Sequence, residues 1–246
     1  WQIYKYNPQF GERMKLRYFA IILILFNFGC GRLSNELSNS SIPEFMYTDK
    51  SNNIFRFKDR IEPVYTDSAI TSLSSMNNEK TLVSSLKTIS IYSDNDVVLF
   101  SYEPDCTIIS AVILNQSNQI IYATKNRQLY RYDQLSNTSE LIIDNIYPIP
   151  KQIIVNNDDT KLYYHDQLNI YEVDLATSSL TKITNQSFPI HSIALYESNN
   201  QIFFSSSIDG KIYKINLVNK IRSVFHSTVS VAGSAIFCKD NQLYFT

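Results

Sequence analysis

The most constraining feature of this chain is a short phrase that returns at a nearly fixed interval. "IYEVD" stands at 170–174, "LYRYD" at 129–133 and "IYKIN" at 212–216, with "IFRF" from Ile54 and "IYSD" from Ile91. The five anchors, Ile54, Ile91, Leu129, Ile170 and Ile212, are spaced by 37, 38, 41 and 42 residues. A second register agrees. Asn-Gln followed by an aliphatic residue occurs at 118–120, 200–202 and 241–243, and Thr160-Lys161-Leu162 fills the gap. Periods of this length mark arrays of one supersecondary unit, each too small to bury its apolar face alone.

Within one unit, residues 149–184, the pattern is that of four short strands. "KQIIVNN" runs into an Asn pair, "DTKLYYHDQ" and "LNIYEVD" follow, and "SLTKIT" alternates apolar with polar after the turn "LATSS". Inner strands with apolar residues on both faces belong in a sheet packed between two others, and the alternating strand belongs at the outer edge. Composition supports strands: Tyr (17) and Phe (14) are abundant, while Gly is only 5 of 246. Turns must therefore be built on Asn, Asp and Ser, which form side-chain-capped turns and tolerate positive φ.

Four-stranded units of about forty residues resemble the blades of bacterial β-propellers of the WD40-like and YVTN type, and "IYEVDLATSSLTKI" is the closest match to their third-strand phrase. The resemblance covers residues 44–246. Neither a Trp-Asp dipeptide nor a Gly-His pair is present, so the eukaryotic-type WD40 pattern does not apply. The resemblance implies an all-β propeller. Counting units gives five blades and a partial sixth begun by "NQLYFT", hence a chain truncated at its C-terminus.

The first thirty residues read as an address. From Met14 the chain runs "MKLRYFAIILILFNFGCGR", with Lys15 and Arg17 ahead of an apolar run from Tyr18 to Phe26. That run is too short to cross about 30 Å of hydrocarbon as a helix, and it has the length of an export-signal core. Gly29-Cys30 resembles the end of a bacterial lipoprotein signal, in which the Cys becomes the lipidated N-terminus; Asn27 departs from the aliphatic residue usual three positions before it. The expected organisation is an over-extended reading frame at 1–13, a signal peptide at 14–29, lipidated Cys30 with a polar Ser/Asn-rich tether over 30–43, and the propeller at 44–246. The expected location is the bacterial cell envelope, at the outer membrane or cell surface. Cys106 and Cys238 sit at different points of the repeat and are expected as unpaired, buried thiols.

Chemistry-bearing motifs are few. His165, His191 and His226 lie in different units without metal-ligand spacing, and "SDNDVV" (93–98) and Asp158-Asp159 read as turns. No catalytic, cofactor-binding or metal site is assigned, and the formal net charge of −1 offers no basic surface for nucleic acid. The expectation is a passive scaffold that presents loops to a protein or glycan. The resemblance leaves open a lactonase-type hydrolase acting on a sugar-derived substrate, and the expected truncation leaves open a gene product without function.

Overall fold

The computed structural model describes residues 3–7, 12–16, 45–48, 53–57, 61–66, 70–76, 80–93, 97–117, 119–185, 189–206, 208–227, 236–239 and 242–245. The apolar run, Cys30 and the tether lie outside them. The described strands are all antiparallel to their neighbours. In chain order they are β1 (Ile3–Asn7), β2 (Glu12–Leu16), β3 (Phe45–Thr48), β4 (Asn53–Phe57) and β5 (Ile61–Thr66). Four runs of four follow. The first blade holds β6 (Ile70–Met76), β7 (Lys80–Ser85), β8 (Ile89–Ser93) and β9 (Val98–Tyr102). The second holds β10 (Ile108–Ile113), β11 (Ile120–Thr124), β12 (Leu129–Asp133) and β13 (Thr138–Ile143). The third holds β14 (Gln152–Val155), β15 (Lys161–His165), β16 (Asn169–Asp174) and β17 (Leu180–Asn185). The fourth holds β18 (Ile190–Tyr196), β19 (Gln201–Ser206), β20 (Lys211–Asn216) and β21 (Arg222–Ser227). The last strands are β22 (Ile236–Lys239) and β23 (Gln242–Phe245).

The count differs from the expected five blades and a fragment: four blades are built from four consecutive strands each. The unit around Ile54 contributes a three-stranded sheet, β3-β4-β5, among the described residues. The strands of "NQLYFT" are not left as a half-unit, because the last sheet has the order β2-β1-β23-β22. Tyr4, Lys5 and Tyr6 pair with Phe245, Tyr244 and Leu243. A count of repeats reads only local phrases, and a sheet assembled from the two ends of the chain has no local signature. Register also moves one anchor. Pairing of Ser84 with Ile89, like that of Ala123 with Leu129 and His165 with Ile170, makes Ile89 rather than Ile91 the equivalent of Leu129.

Sheets pack face to face along their innermost strands, β6 on β10, β10 on β14, β14 on β18 and β18 on β22. Such stacking buries both faces of the inner strands, so they carry apolar residues throughout: β11 is buried at all five positions. One cluster, including Ile121, Leu129, Leu162 and Val173, fills the space between the second and third blades. Another, including Ile170, Ile193, Ile202 and Ile215, fills that between the third and fourth. Cross-strand aromatic pairs repeat inside these layers. Tyr122 on Tyr130, Tyr164 on Tyr171 and Phe204 on Tyr213 stack with centroids 5.3, 4.9 and 5.2 Å apart, a geometry that adds to burial through the ring quadrupoles. The Tyr of the recurring phrase is therefore packing.

Turn chemistry follows the glycine shortage. Positive φ falls at Asn137, Ser178 and Lys220 in the turn after the third strand, and at Asp159 and Asn200 in the turn after the first. The turn after the second strand uses Arg127, Gln167 and Gly210. Asp133, Asp174 and Asn216 each accept two backbone N–H groups of their turn, as at Ala176 and Thr177 for Asp174. The acid of "IYEVD" is a turn cap.

Candidate functional site

Blades are joined by a recurring device on their innermost strands. Ser72 Oγ accepts the N–H of Ala111 at 2.8 Å and donates to its carbonyl at 3.1 Å. Ser110 Oγ accepts from Ile153, and Ser192 Oγ bonds both backbone groups of Ile236. In the third blade the position is Gln152, whose amide pairs with Ile193 N–H and C=O at 2.9 and 3.2 Å. The three serines sit at a register shift in the strand, while β14 carries none.

Where the joints differ, a cleft opens. Between the second and third blades the turns are closely tied. Asp159 accepts the N–H groups of Asn115 and Gln116 at 2.8 and 2.6 Å, and Gln116 Nε2 donates to Asn157 O at 3.0 Å. Arg131 crosses the same joint to donate to the carbonyl of Leu175 at 3.2 Å. Register makes Arg131, opposite Ile121, equivalent to Glu172, opposite Tyr163. Glu172 turns back on its own blade instead, 3.0 Å from Lys161 Nζ. Leu217, the counterpart of Leu175, receives no such bridge from it and lines a cleft of 480 Å³ between the third and fourth blades.

The walls of this cleft come from three turns. One wall is the β14–β15 turn, where Asn156 Oδ1 accepts Lys161 N–H at 2.8 Å and Asp158 accepts the Thr160 hydroxyl at 2.7 Å. Opposite stand the short 3₁₀ turn Glu197–Asn199 and left-handed Asn200. The β20–β21 turn adds Leu217, Val218 and Lys220. Glu197 accepts the N–H of Asn157 and so pins the two walls together. Burial holds its carboxyl above the usual range, with Asp158 nearby adding to the effect and the Asn157 N–H opposing it. Tyr163 forms part of the floor, and burial together with the Glu172 carboxylate pushes its phenol well up. The cleft thus offers carboxylates, amides and ammonium groups over an apolar base of Leu195 and Leu217. Its volume falls in the range of small-ligand sites.

Sequence reading singles out none of the cleft residues for binding; Asp158 reads only as a turn residue. A signal is nonetheless present: the middle residue of the recurring phrase is Arg131, Glu172 and Lys214 in successive blades, so its charge inverts only in the third. Asp158 and Asp159 do occupy a turn, and Asp159 additionally ties the second blade to the third.

The histidines are placed as follows. His165 stands at a position filled by Ser84, Ala123 and Ser205 in the other blades, and is 3% exposed. Among the described residues its Nδ1 has no hydrogen-bond partner, and burial lowers its pKa to about 4; Asp166 opposes that shift while His191 and Lys151 reinforce it. His191 is thus a neighbour of His165 across the joint, on an exposed bulge of β18. His226 lies on the outer strand of the fourth blade. Among the described residues no group of three or more His, Cys, Asp or Glu is placed to hold a metal. Of "SDNDVV", Ser93 accepts the N–H of Val97 at 3.2 Å between β8 and β9, and residues 94–96 lie outside the described residues. Cys106 and Cys238 are free and half-buried, and burial pushes the Cys238 thiol up to about 12. The lipidation site, Cys30, lies outside the described residues.

No protein-family model matches this chain, and no curated protein matches it. Among solved structures it is similar to one described as "Crystal structure of Nidogen/Laminin Complex", with a TM-score of 0.67. The two share 11% identity over 82% of this chain and 84% of that one. Identity so low speaks for the fold alone, and in fold the chain is a β-propeller.

Proposed function

We propose that this propeller is an exported bacterial protein, anchored to the cell envelope through a lipidated Cys30, and that it acts as a passive binding scaffold for a protein or glycan. The observation that carries the binding role is the cleft between the third and fourth blades, which opens where Glu172 replaces the bridging Arg131 of the preceding joint. A rigid stack of sheets with a cleft at one joint suits recognition, since the ligand-facing groups are held by turns that do not have to order on binding. One solved structure similar to it in fold is described as a nidogen/laminin complex. No observation favours the lactonase reading, which needs carboxylates or histidines from several blades converging on the axis.

Export and anchoring rest on the sequence of residues 14–30 and make a sharp demand. Processing at Cys30 removes Ile3–Asn7 and Glu12–Leu16 from the sheet they share with β22 and β23. Mass spectrometry of the N-terminal peptide, on protein recovered from the membrane fraction of an expressing bacterium, tests this. The expected result is a diacylglycerol-modified Cys30 as first residue. An unmodified N-terminus that retains residues 3–16 overturns it.

A further inference from the structure

The altered joint also carries information about ligand chemistry. We propose that the cleft between the third and fourth blades binds a short neutral saccharide, an inference that rests on the binding role just given. Lys161 and Glu172 are paired at 3.0 Å, so two of the charges that line the cleft already satisfy each other. An anionic ligand would meet the carboxylates of Asp158, Glu172 and Glu197, and a cationic one would have to compete with Lys161 for Glu172. A sugar hydroxyl is both donor and acceptor, and it matches a wall that alternates the two. Carboxylates at Glu172 and Glu197 accept, ammonium groups at Lys161 and Lys220 donate, and the amides of Asn157 and Asn200 do both. Leu195, Leu217 and Val218 supply the apolar surface that the C–H face of a pyranose ring covers. A volume of 480 Å³ admits more than one ring.

The protein itself provides the design of a decisive variant. Arg131 closes the preceding joint by reaching the carbonyl of Leu175, so Glu172→Arg should close this one by reaching that of Leu217. Cellobiose, maltose and N,N′-diacetylchitobiose are titrated into the full chain while backbone amide resonances of Asn157 and Asn200 are followed by NMR. At least one sugar is expected to shift them saturably at millimolar concentration or below. Glu172→Arg should weaken that binding tenfold or more with Tm unchanged or raised. Glu172→Gln, which keeps the side-chain size but not the charge, should weaken it several-fold and serves if the arginine variant fails to fold. Absence of saturable shifts with all three sugars overturns the proposal, as does binding unchanged in both variants. A Lys-rich nonapeptide is titrated in parallel. If it alone binds, and does so in a manner abolished by Glu172→Arg, the saccharide assignment falls while the cleft remains a binding site. The anchoring test by N-terminal mass is independent of either result.

Discussion

At the scale of single residues, the positions that break the repeat differ in kind from those that keep it. Ser85, Thr124 and Ser206 end the second strand of their blades and Asp166 directly follows it in the third; each accepts at least one backbone N–H of the turn that follows. One residue earlier the blades hold Ser84, Ala123, His165 and Ser205, so an imidazole occupies a site shaped elsewhere for a small side chain. Its cross-strand partner, Gln152, is likewise the long member among Ser72, Ser110 and Ser192. The groups facing His165 are Asp166 on the adjoining turn, Lys151 before β14 and His191 on β18. Burial makes the charged form unfavourable, and its folded pKa of about 4 lies below the ordinary 6.5. Between those values the unfolded chain binds the extra proton, so stability is full above pH 6.5 and declines as pH falls toward 4. The whole effect is at most roughly 3–4 kcal/mol, from about 1.4 kcal/mol per unit. His165→Ser, which copies the neighbouring blades, should flatten the dependence of denaturation midpoint on pH across that window. Carboxylates held low by their turns, such as Asp166, act at lower pH and leave this comparison intact. An equally steep profile in the variant would show that His165 titrates freely in the folded protein.

At the scale of elements, the recurring phrase and the serines of the inner strands differ in how far the sequence announces them. The strands, the caps at Asp133, Asp174 and Asn216, and the burial of Ile170, Tyr171 and Val173 are legible, because each depends on neighbours within a few residues and a fixed period. The blade joints are not. Ser110 bonds Ile153, a partner 43 residues away, and a lone serine in an apolar strand carries no mark of that role. The cleft is half-visible in the run Arg131, Glu172, Lys214, the middle residues of the recurring phrase, yet only the structure shows that Arg131 reaches Leu175 while Glu172 turns back on Lys161. Ser110 is fully buried, so Ser110→Ala leaves the N–H of Ile153 without a partner in an apolar layer. The expected cost is about 1–3 kcal/mol, the usual penalty for a stranded buried donor. Ser192→Ala should cost less, since both of its bonds to Ile236 are 3.4 Å long and correspondingly weak. Urea denaturation of the two variants measures the order; the reverse order would mean that the joints do not owe their strength to these hydroxyls.

At the scale of the whole molecule, the sheet formed by both ends of the chain bears on two accounts of the first thirty residues. Sequence reading assigns residues 1–13 to an over-extended frame and 14–29 to a leader, because charge, apolar run and Gly29-Cys30 follow one another in order. The pairing of β1 with β23 gives part of the same stretch a structural role instead. Lys5 lies opposite Tyr244, and Lys5 and Met14 are partners across the β1–β2 hairpin. A strand that loses its neighbour exposes a row of backbone donors and acceptors, which destabilises it and invites pairing with another chain. The chain 1–246 is therefore expected to melt at a higher temperature than the chain 30–246. The amides of Leu243 to Phe245 should likewise exchange more slowly in the longer form, since β1 covers their edge only there. The shorter form should also show the greater tendency to self-associate as concentration rises, through its open β23. Equal Tm and equal exchange in both would mean that the hairpin adds nothing to the sheet, and residues 1–29 would then have no role in the fold to set against their reading as a leader.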